Sequence, residues 1–172
     1  IYALRDITGT IPSLPLICSS IMSKKIAEGL DGLVLDIKVG NGAFMKNISP
    51  AKRLANSLIK IGENFDIKTE VSFTNMDQPL GNYAGLNCEV VETIDFLKGN
   101  YPTDLMEVTL ELGIKILRMS NFADDYNSAK KIIINNLNSG KALNKFTEII
   151  SVNLFNALPE LRLFIIIFFA EL

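Results

Sequence analysis

The residues of this chain best suited to chemistry are a guanidinium, a hydroxyl and an ammonium near its beginning: Arg5, Ser20 and Lys24. Ser20 and Lys24 are four residues apart in an apolar-periodic segment, which places both side chains on one face of the predicted helix. Arg5 precedes them, before a Thr-Gly-Thr break at residues 8–10. Together the three donors suit a planar, oxygen-rich and partly anionic group.

Each of these residues also has a plain structural interpretation. By spacing alone, the commoner explanation of Ser20 and Lys24 is a solvent-facing pair on a helix. Arg5 could form an ion pair near the N-terminus with Asp6 or Asp36. A nucleophilic serine is not expected, because the chain has no histidine to act as its base.

Longer motifs surround these residues and continue along the chain. They are Tyr-Ala-Leu-Arg-Asp-Ile-Thr-Gly-Thr (2–10), Ser-Ser-Ile-Met-Ser-Lys-Lys (19–25), Leu-Asp-Ile-Lys-Val-Gly-Asn-Gly-Ala-Phe-Met-Lys (35–46), Asn-Met-Asp-Gln-Pro-Leu-Gly (75–81), Glu-Val-Val-Glu (89–92) and Ser-Gly-Lys-Ala-Leu-Asn-Lys-Phe (139–146). In order and spacing they resemble the pyrimidine-nucleoside phosphorylase and thymidine phosphorylase family over about residues 1–150. The forms at 19–25 and 78–81 look closer to the bacterial pyrimidine-nucleoside branch. The resemblance favours the chemical interpretation of Arg5, Ser20 and Lys24 over the structural one.

The resemblance implies phosphate-dependent cleavage of uridine, thymidine or deoxyuridine to the free pyrimidine and a (deoxy)ribose 1-phosphate. Phosphate is then a co-substrate, and no organic cofactor is implied. In the family pattern Arg5 and Lys24 donate to the carbonyl oxygens of the pyrimidine, and Ser20 meets ring atom N3. Tyr2 lies beside the base. The apolar wall around the base would be Ile11, Ile17 and Phe44.

The family also has a site for K⁺ or Ca²⁺ at its hinge. Its ligands here would be the main-chain carbonyls of Leu80 and Tyr83 and the carboxylate of Glu92, since oxygen ligands suit hard cations. Tyr83 replaces a small residue usual at that position, which a carbonyl ligand tolerates. The remaining ligands come from the family's phosphate loop, so we expect at most half of this site here and ion binding only in a full-length parent.

Composition sets limits on the class of protein. A chain of 172 residues with a net charge of −2 predicts about one domain and offers no basic field for nucleic acid. Cys18 and Cys88 are the two cysteines, and the start carries no signal peptide, so we expect a reduced, cytoplasmic protein with no membrane partner. The resemblance implies a homodimer.

Hydrophobic periodicity predicts an alternation of helices and strands. Helices are expected at 12–29, 50–65, 85–97, 103–119, 128–138 and 140–150, and strands at 33–39 and 67–73. The alternation predicts an α/β fold with a central mixed, largely parallel sheet flanked by helices, part of the α/β domain of a nucleoside phosphorylase.

The glycines after the first predicted strand could suggest a dinucleotide site. The motif lacks its third glycine, so we expect instead a tight turn that brings Phe44 to the cleft. Asp36 and Lys38 lie on the same side of the strand before this turn, and their spacing predicts a structural ion pair.

The end of the chain departs from the family pattern. Residues 163–170 are eight apolar residues in a row, too few for the roughly 20 that span a bilayer. We expect residues 1–150 to be part of the pyrimidine-binding α/β domain and 151–172 to be a divergent apolar tail, from a frameshift or premature end. In the tail, the apolar run would be a buried strand or an aggregation-prone edge.

The chain begins with Ile1 and enters the family motif at once, which predicts a fragment without the family's N-terminal helical domain and phosphate loop. We therefore expect the isolated chain to be inactive. The alternative is a non-catalytic truncated remnant or an oligomerisation module. A protein like anthranilate phosphoribosyltransferase is disfavoured by the motifs within residues 2–25.

Overall fold

A computed structural model of the chain describes residues 2–153 and 165–168. Its helices are α1 Tyr2–Ile7, α2 Leu14–Ala27, α3 Ile48–Asn64, α4 Leu86–Leu97, α5 Thr103–Met119, α6 Tyr126–Asn138 and α7 Lys141–Asn153. Its strands are β1 Gly32–Val39, β2 Lys68–Asn75 and β3 Ile165–Phe168.

Strand β1 is the centre of the sheet. It pairs in parallel with β2 on one side and with β3 on the other. Helix α3 connects β1 to β2, because two parallel strands need a crossover of this kind. The predicted α/β fold is confirmed, and the strand pairs that the structure describes are all parallel.

Helices cover both faces of β1, which is why its residues are almost continuously apolar and buried. On one face, Leu33, Leu35 and Ile37 pack in a core with α2 and α3. On the other face, Val34 packs against Leu112 and Met119 of α5. Two further apolar clusters join α5 to the helices around it. The sheet is therefore a rigid base for the residues that follow its strands.

Cys18 lies in the core beside α3, and burial raises the pKa of its thiol. A thiol of this kind is structural, because reactivity requires the thiolate.

Several helix starts differ from the sequence prediction: α2 begins at Leu14 instead of 12 and α6 at Tyr126 instead of 128, and α1 and α3 differ as well. Helix α1 was not predicted, since six residues are too few for a clear apolar period. Helix α3 begins at Ile48 with Asn47 in the extended N-cap conformation, ahead of the predicted start at Ser49 and Pro50. Pro50 fits there because the amide groups of the first helical turn have no acceptor within the helix.

The apolar run near the end of the chain contributes strand β3, with Leu33–Asp36 of β1 in register with Ile165–Phe168. Residues 165–168 of this run form a strand at the edge of the described sheet, while residues 154–164 and 169–172 lie outside the described part of the structure. A divergent or frameshifted origin of residues 151–172 stays a prediction. None of the described helices is both long and apolar enough to cross a bilayer.

Candidate functional site

A cavity lies where β1 and β2 end, beneath α1 and α2. Its volume is about 110 Å³, several times the 10–15 Å³ that one water requires. It is lined by Arg5, Ile11, Ile17, Ser20, Ile21, Leu35, Ile37, Lys38, Gly42, Ala43, Phe44, Met45, Leu54, Leu58 and Met76. Ligands of parallel sheets bind at the carboxyl ends of the strands, which is the position of this cavity.

Five of the seven residues predicted to contact a substrate line this cavity: Arg5, Ile11, Ile17, Ser20 and Phe44. The structure therefore brings together residues that are up to 39 positions apart in sequence, from Arg5 to Phe44. The other two are Lys24, which is exposed and is not among the lining residues, and Tyr2, whose side chain lies outside the described part of the structure.

Arg5 reaches the cavity from the last turn of α1 and is 7% exposed. Its Nη2 donates to the Ile11 carbonyl at 2.7 Å and to the Thr10 carbonyl at 3.4 Å. The chain can turn back towards Arg5 because Gly9 adopts a left-handed φ of +64°. The guanidinium thus fixes the segment that carries Ile11 into the wall of the cavity.

Ser20 and Lys24 both belong to α2, one turn apart as predicted. Ser20 is half-buried at the cavity, whereas Lys24 lies about 6 Å farther along the helix, by 1.5 Å of rise per residue. The distance along the helix explains why the ammonium is in solvent while the hydroxyl is at the cavity. A lysine side chain has a flexible four-carbon stem and can change its reach.

Phe44 is positioned by Gly40 and Gly42, which let the loop after β1 pack closely against the loop after β2. The Gly42 amide donates to the Met76 carbonyl at 2.8 Å, and a Cβ on Gly42 would lie 2.7 Å from that oxygen. Gly40 has φ of +139°, and a Cβ there would lie 2.7 Å from Asp77 Oδ1. The glycines therefore allow close packing of two loops, in keeping with the predicted turn, and Phe44 follows them with 43% exposure.

The predicted ion pair between Asp36 and Lys38 is present. Lys38 Nζ lies 2.6 Å from Asp36 Oδ2 and donates to Thr74 Oγ1 at 2.9 Å. Thr74 Oγ1 in turn donates to Asp36 Oδ1 at 2.6 Å. Lys38 also lines the cavity, which the sequence analysis did not anticipate. Its position next to last in β1 was the available signal, because the carboxyl ends of strands carry ligand contacts.

Two residues of the predicted cation site, Leu80 and Tyr83, lie in a turn after β2, and the third, Glu92, contacts this turn from α4. Glu92 is buried, and its Oε1 accepts from the Asn82 amide at 2.7 Å, so the carboxylate lies against the segment between Leu80 and Tyr83. Gly81 has φ of +74°, and a Cβ there would lie 2.6 Å from Glu92 Oε2. Glu92 thus contacts the turn that carries the other two predicted ligands, and the cation site itself stays a prediction. Within residues 2–153, no group of three or more acidic, cysteine or histidine side chains could hold a metal.

A second cavity lies beyond the end of β2, against α5. Its lining includes Thr74, Asn75 and Gln78, together with the acidic residues Asp104, Glu107 and Glu111. Thr74 thus lines this acidic cavity and also accepts a hydrogen bond from Lys38, a residue that lines the first cavity.

Comparison with known proteins adds independent information. Residues 1–143 match the family described as "Glycosyl transferase family, a/b domain". The chain is 48% identical over 151 residues to a pyrimidine-nucleoside phosphorylase of Staphylococcus epidermidis, covering 88% of this chain and 35% of the relative. A pyrimidine-nucleoside phosphorylase of Staphylococcus aureus is 48% identical over 150 residues, 87% of this chain and 35% of that protein. The chain thus spans about a third of the length of the curated relatives it matches.

Proposed function

The chain belongs to the glycosyl transferase family, in its α/β domain, and on this premise we propose that it forms the pyrimidine-binding part of a pyrimidine-nucleoside phosphorylase. The whole enzyme would cleave uridine, thymidine or deoxyuridine with phosphate and release the free pyrimidine and a (deoxy)ribose 1-phosphate. The observation that carries the proposal is the gathering of Arg5, Ser20 and three predicted apolar wall residues around one cavity.

The chemistry of the reaction explains why these residue types are suitable. As the glycosidic bond lengthens, positive charge develops on the sugar and negative charge on the departing pyrimidine. Donors at the base oxygens stabilise that negative charge, and one such donor contributes about 3 kcal/mol to lowering the barrier. Arg5 lies in a largely apolar cavity, where its charge acts more strongly than in water.

In this proposal the guanidinium of Arg5 donates to one pyrimidine carbonyl and Lys24 to the other, while Ser20 meets N3. The ring lies between the side chains of Ile11, Ile17 and Phe44, and Tyr2 lies beside it. Arg5 is already oriented by the carbonyls of residues 10 and 11. Lys24 extends along α2 toward the base when the nucleoside binds.

A hard cation, K⁺ or Ca²⁺, would be held in the whole enzyme by the carbonyls of Leu80 and Tyr83 and by Glu92. The close contact of Glu92 with the turn at 81–82 supports this assignment. When bound, the cation would neutralise the buried carboxylate and fix the turn. We further propose that the whole enzyme uses phosphate as its co-substrate, forms a homodimer and is located in the cytoplasm.

The 172-residue chain alone is expected to bind pyrimidines without cleaving nucleosides, since the proposal assigns the described residues of the cavity to the base and none of them to phosphate. A titration of the chain with uracil, followed by NMR, tests the binding. We expect uracil to shift resonances of residues around the cavity and hypoxanthine, a purine base, to leave them unchanged. Absence of any uracil effect, or equal effects of both bases, contradicts the proposal.

Catalysis is tested in a chimera, in which residues 1–143 replace the matching segment of the Staphylococcus epidermidis relative. Phosphate-dependent release of uracil from uridine by the chimera supports a catalytic segment. A correctly folded chimera that binds uracil and has no activity would instead favour the alternative of a non-catalytic remnant.

A further inference from the structure

The loop that follows β1 is held at its tip by two side chains of opposite charge. The main-chain amide of Asn41 donates to Asp77 Oδ1 at 2.7 Å, and the main-chain carbonyl of Asn41 accepts from Lys46 Nζ. Both are hydrogen bonds in which one partner is ionised, and such bonds are about twice as strong as bonds between neutral groups. A single residue of the loop is therefore held from both sides.

The segment that carries Asp77 makes further contacts with the same loop. The Gly42 amide donates to the Met76 carbonyl at 2.8 Å, next to the bond between Asn41 and Asp77. A Cβ on Gly40 would lie 2.7 Å from Asp77 Oδ1, so the carboxylate also lies directly against the main chain at the start of the loop. The side chain of Asp77 thus contacts two successive residues of the loop, and the main chain of Met76 binds the third.

Phe44 depends on this loop for its position. Its side chain lines the cavity but is 43% exposed, so packing against the core fixes it only in part. Asp77 is exposed and is not among the lining residues, so it does not contact a ligand in the cavity itself. A hydrogen bond that water can replace contributes only modestly to the stability of a whole fold. We therefore expect Asp77 to act on the loop and, through the loop, on Phe44.

We propose that Asp77 is a positioning residue for base binding: its carboxylate, opposed by Lys46, holds the loop in the conformation in which Phe44 forms a wall of the cavity. This inference rests on the proposed function, which places a pyrimidine against Phe44. When the loop opens, this wall is lost, and the apparent affinity for the base falls with the fraction of molecules whose loop is closed. The proposal gives a role in base binding to two charged residues that do not line the cavity.

Amide hydrogen exchange tests the loop without a ligand. In Asp77→Ala the Asn41 amide loses its acceptor, so its exchange accelerates whether or not the rest of the loop moves. The Gly42 amide keeps its own acceptor, the Met76 carbonyl, and accelerates only if the loop opens as a unit. We expect both amides to exchange about tenfold faster in Asp77→Ala, and Asp77→Asn, which retains an acceptor oxygen, to restore most of the protection.

The affinity for uracil, measured by NMR titration of the 172-residue chain, tests the consequence for binding. We expect Asp77→Ala to weaken uracil binding about threefold to tenfold and Asp77→Asn to stay within about twofold of the unmodified chain. Asp125→Ala is the matched control, because Asp125 also accepts from main-chain amides, at 2.7 and 3.0 Å, but does so at the start of α6 and does not line the cavity. The control is expected to lower stability and to leave uracil binding unchanged.

A uracil affinity that is unchanged in Asp77→Ala, or equally reduced in Asp77→Ala and Asp125→Ala, overturns the positioning role. Unchanged exchange of the Gly42 amide in Asp77→Ala overturns it as well. In each of these cases uracil binding by the unmodified chain leaves the proposed function intact. If the unmodified chain does not bind uracil, the proposed function fails and the positioning role fails with it.

Discussion

The Arg5 guanidinium donates to the main-chain carbonyl of Ile11 at 2.7 Å, so a proposed base-binding cation also fixes a proposed wall of the base site. The two residues are joined by a turn in which the Thr10 amide donates to the Arg5 carbonyl. The side chain and the main chain of Arg5 therefore both fix the turn before Ile11. Arg5 thus contributes both the charge and the shape of the cavity.

Replacing Arg5 is expected to reduce both binding and turnover. In the chimera, Arg5→Ala should lower kcat/KM for uridine by about two to three decades, the range for loss of one transition-state donor. Arg5→Lys should recover little, because an ammonium lacks the planar fork of a guanidinium. Arg53→Ala is the control, since Arg53 is exposed on α3 and contacts Ser49. Similar rates for Arg5→Ala and the control would refute the role of Arg5.

The glycine at position 42 is expected to be required for the cavity. Gly42→Ala places a Cβ 2.7 Å from the Met76 carbonyl oxygen, a backbone atom that cannot move alone. Overpacking of this kind costs about 1–3 kcal/mol, which urea unfolding measures. The matched control is Gly113→Ala, whose new Cβ meets the mobile end of the Ile133 side chain and gains helix propensity. Equal stability of the two variants would contradict the account of this loop.

The hydrogen bond from the Asn82 amide to Glu92 gives a prediction about the exchange of that amide. Glu92→Ala removes the acceptor of the Asn82 amide, and hydrogen exchange of that amide should accelerate. Glu92→Gln retains an acceptor oxygen and should keep the amide protected, while losing the charge that a cation requires. In the chimera, Glu92→Gln should therefore abolish any rise in melting temperature produced by K⁺ or Ca²⁺. If the cation still raised the melting temperature of this variant equally, Glu92 would not be a ligand of the cation.

The start of α6 gives a prediction of pH dependence. Asp125 accepts from the amides of Ser128 and Asn127, and these hydrogen bonds hold the pKa of Asp125 below its ordinary value of 3.8. A lowered folded-state pKa stabilises the fold above the ordinary value, and this stability is lost as the pH falls through the folded-state pKa. Asp125→Ala should therefore lower the melting temperature at pH 6 by more than at pH 2.5. A difference independent of pH would contradict this role for the carboxylate.

Much of the fold follows from patterns in the sequence. Helix α5 has the predicted bounds, Thr103–Met119, because its apolar period is long and because Pro102, in the extended conformation, directly precedes its first residue. Strand β1 is clear because it is apolar on both faces. Helix α1 and the early start of α3 were missed, since short helices and capping residues carry weak periodic signals. Membership of the glycosyl transferase family is shown by the match over residues 1–143, and the 48% identity to pyrimidine-nucleoside phosphorylases agrees with the resemblance expected from the motifs.

The candidate site was predictable in its residues and less so in its arrangement. Ser20 and Phe44 are found from motifs, but their meeting at one cavity depends on how α2 packs against β1. Lys38 was predicted only as an ion-pair partner. Strand alternation predicts which face of the sheet a residue lies on, but not whether the residue lines a cavity at the end of the strand. The roles of the site residues in base binding stay predictions.

The most direct test of the account is where a pyrimidine binds on this chain. Intermolecular NOEs between uracil protons and the 172-residue chain would locate the base. We expect contacts with the side chains of Ile17 and Phe44, which line the cavity beside Arg5 and Ser20. Contacts confined to the acidic second cavity at Val108 and Leu80, or an absence of contacts at Ile17 and Phe44 when uracil is bound, would contradict it.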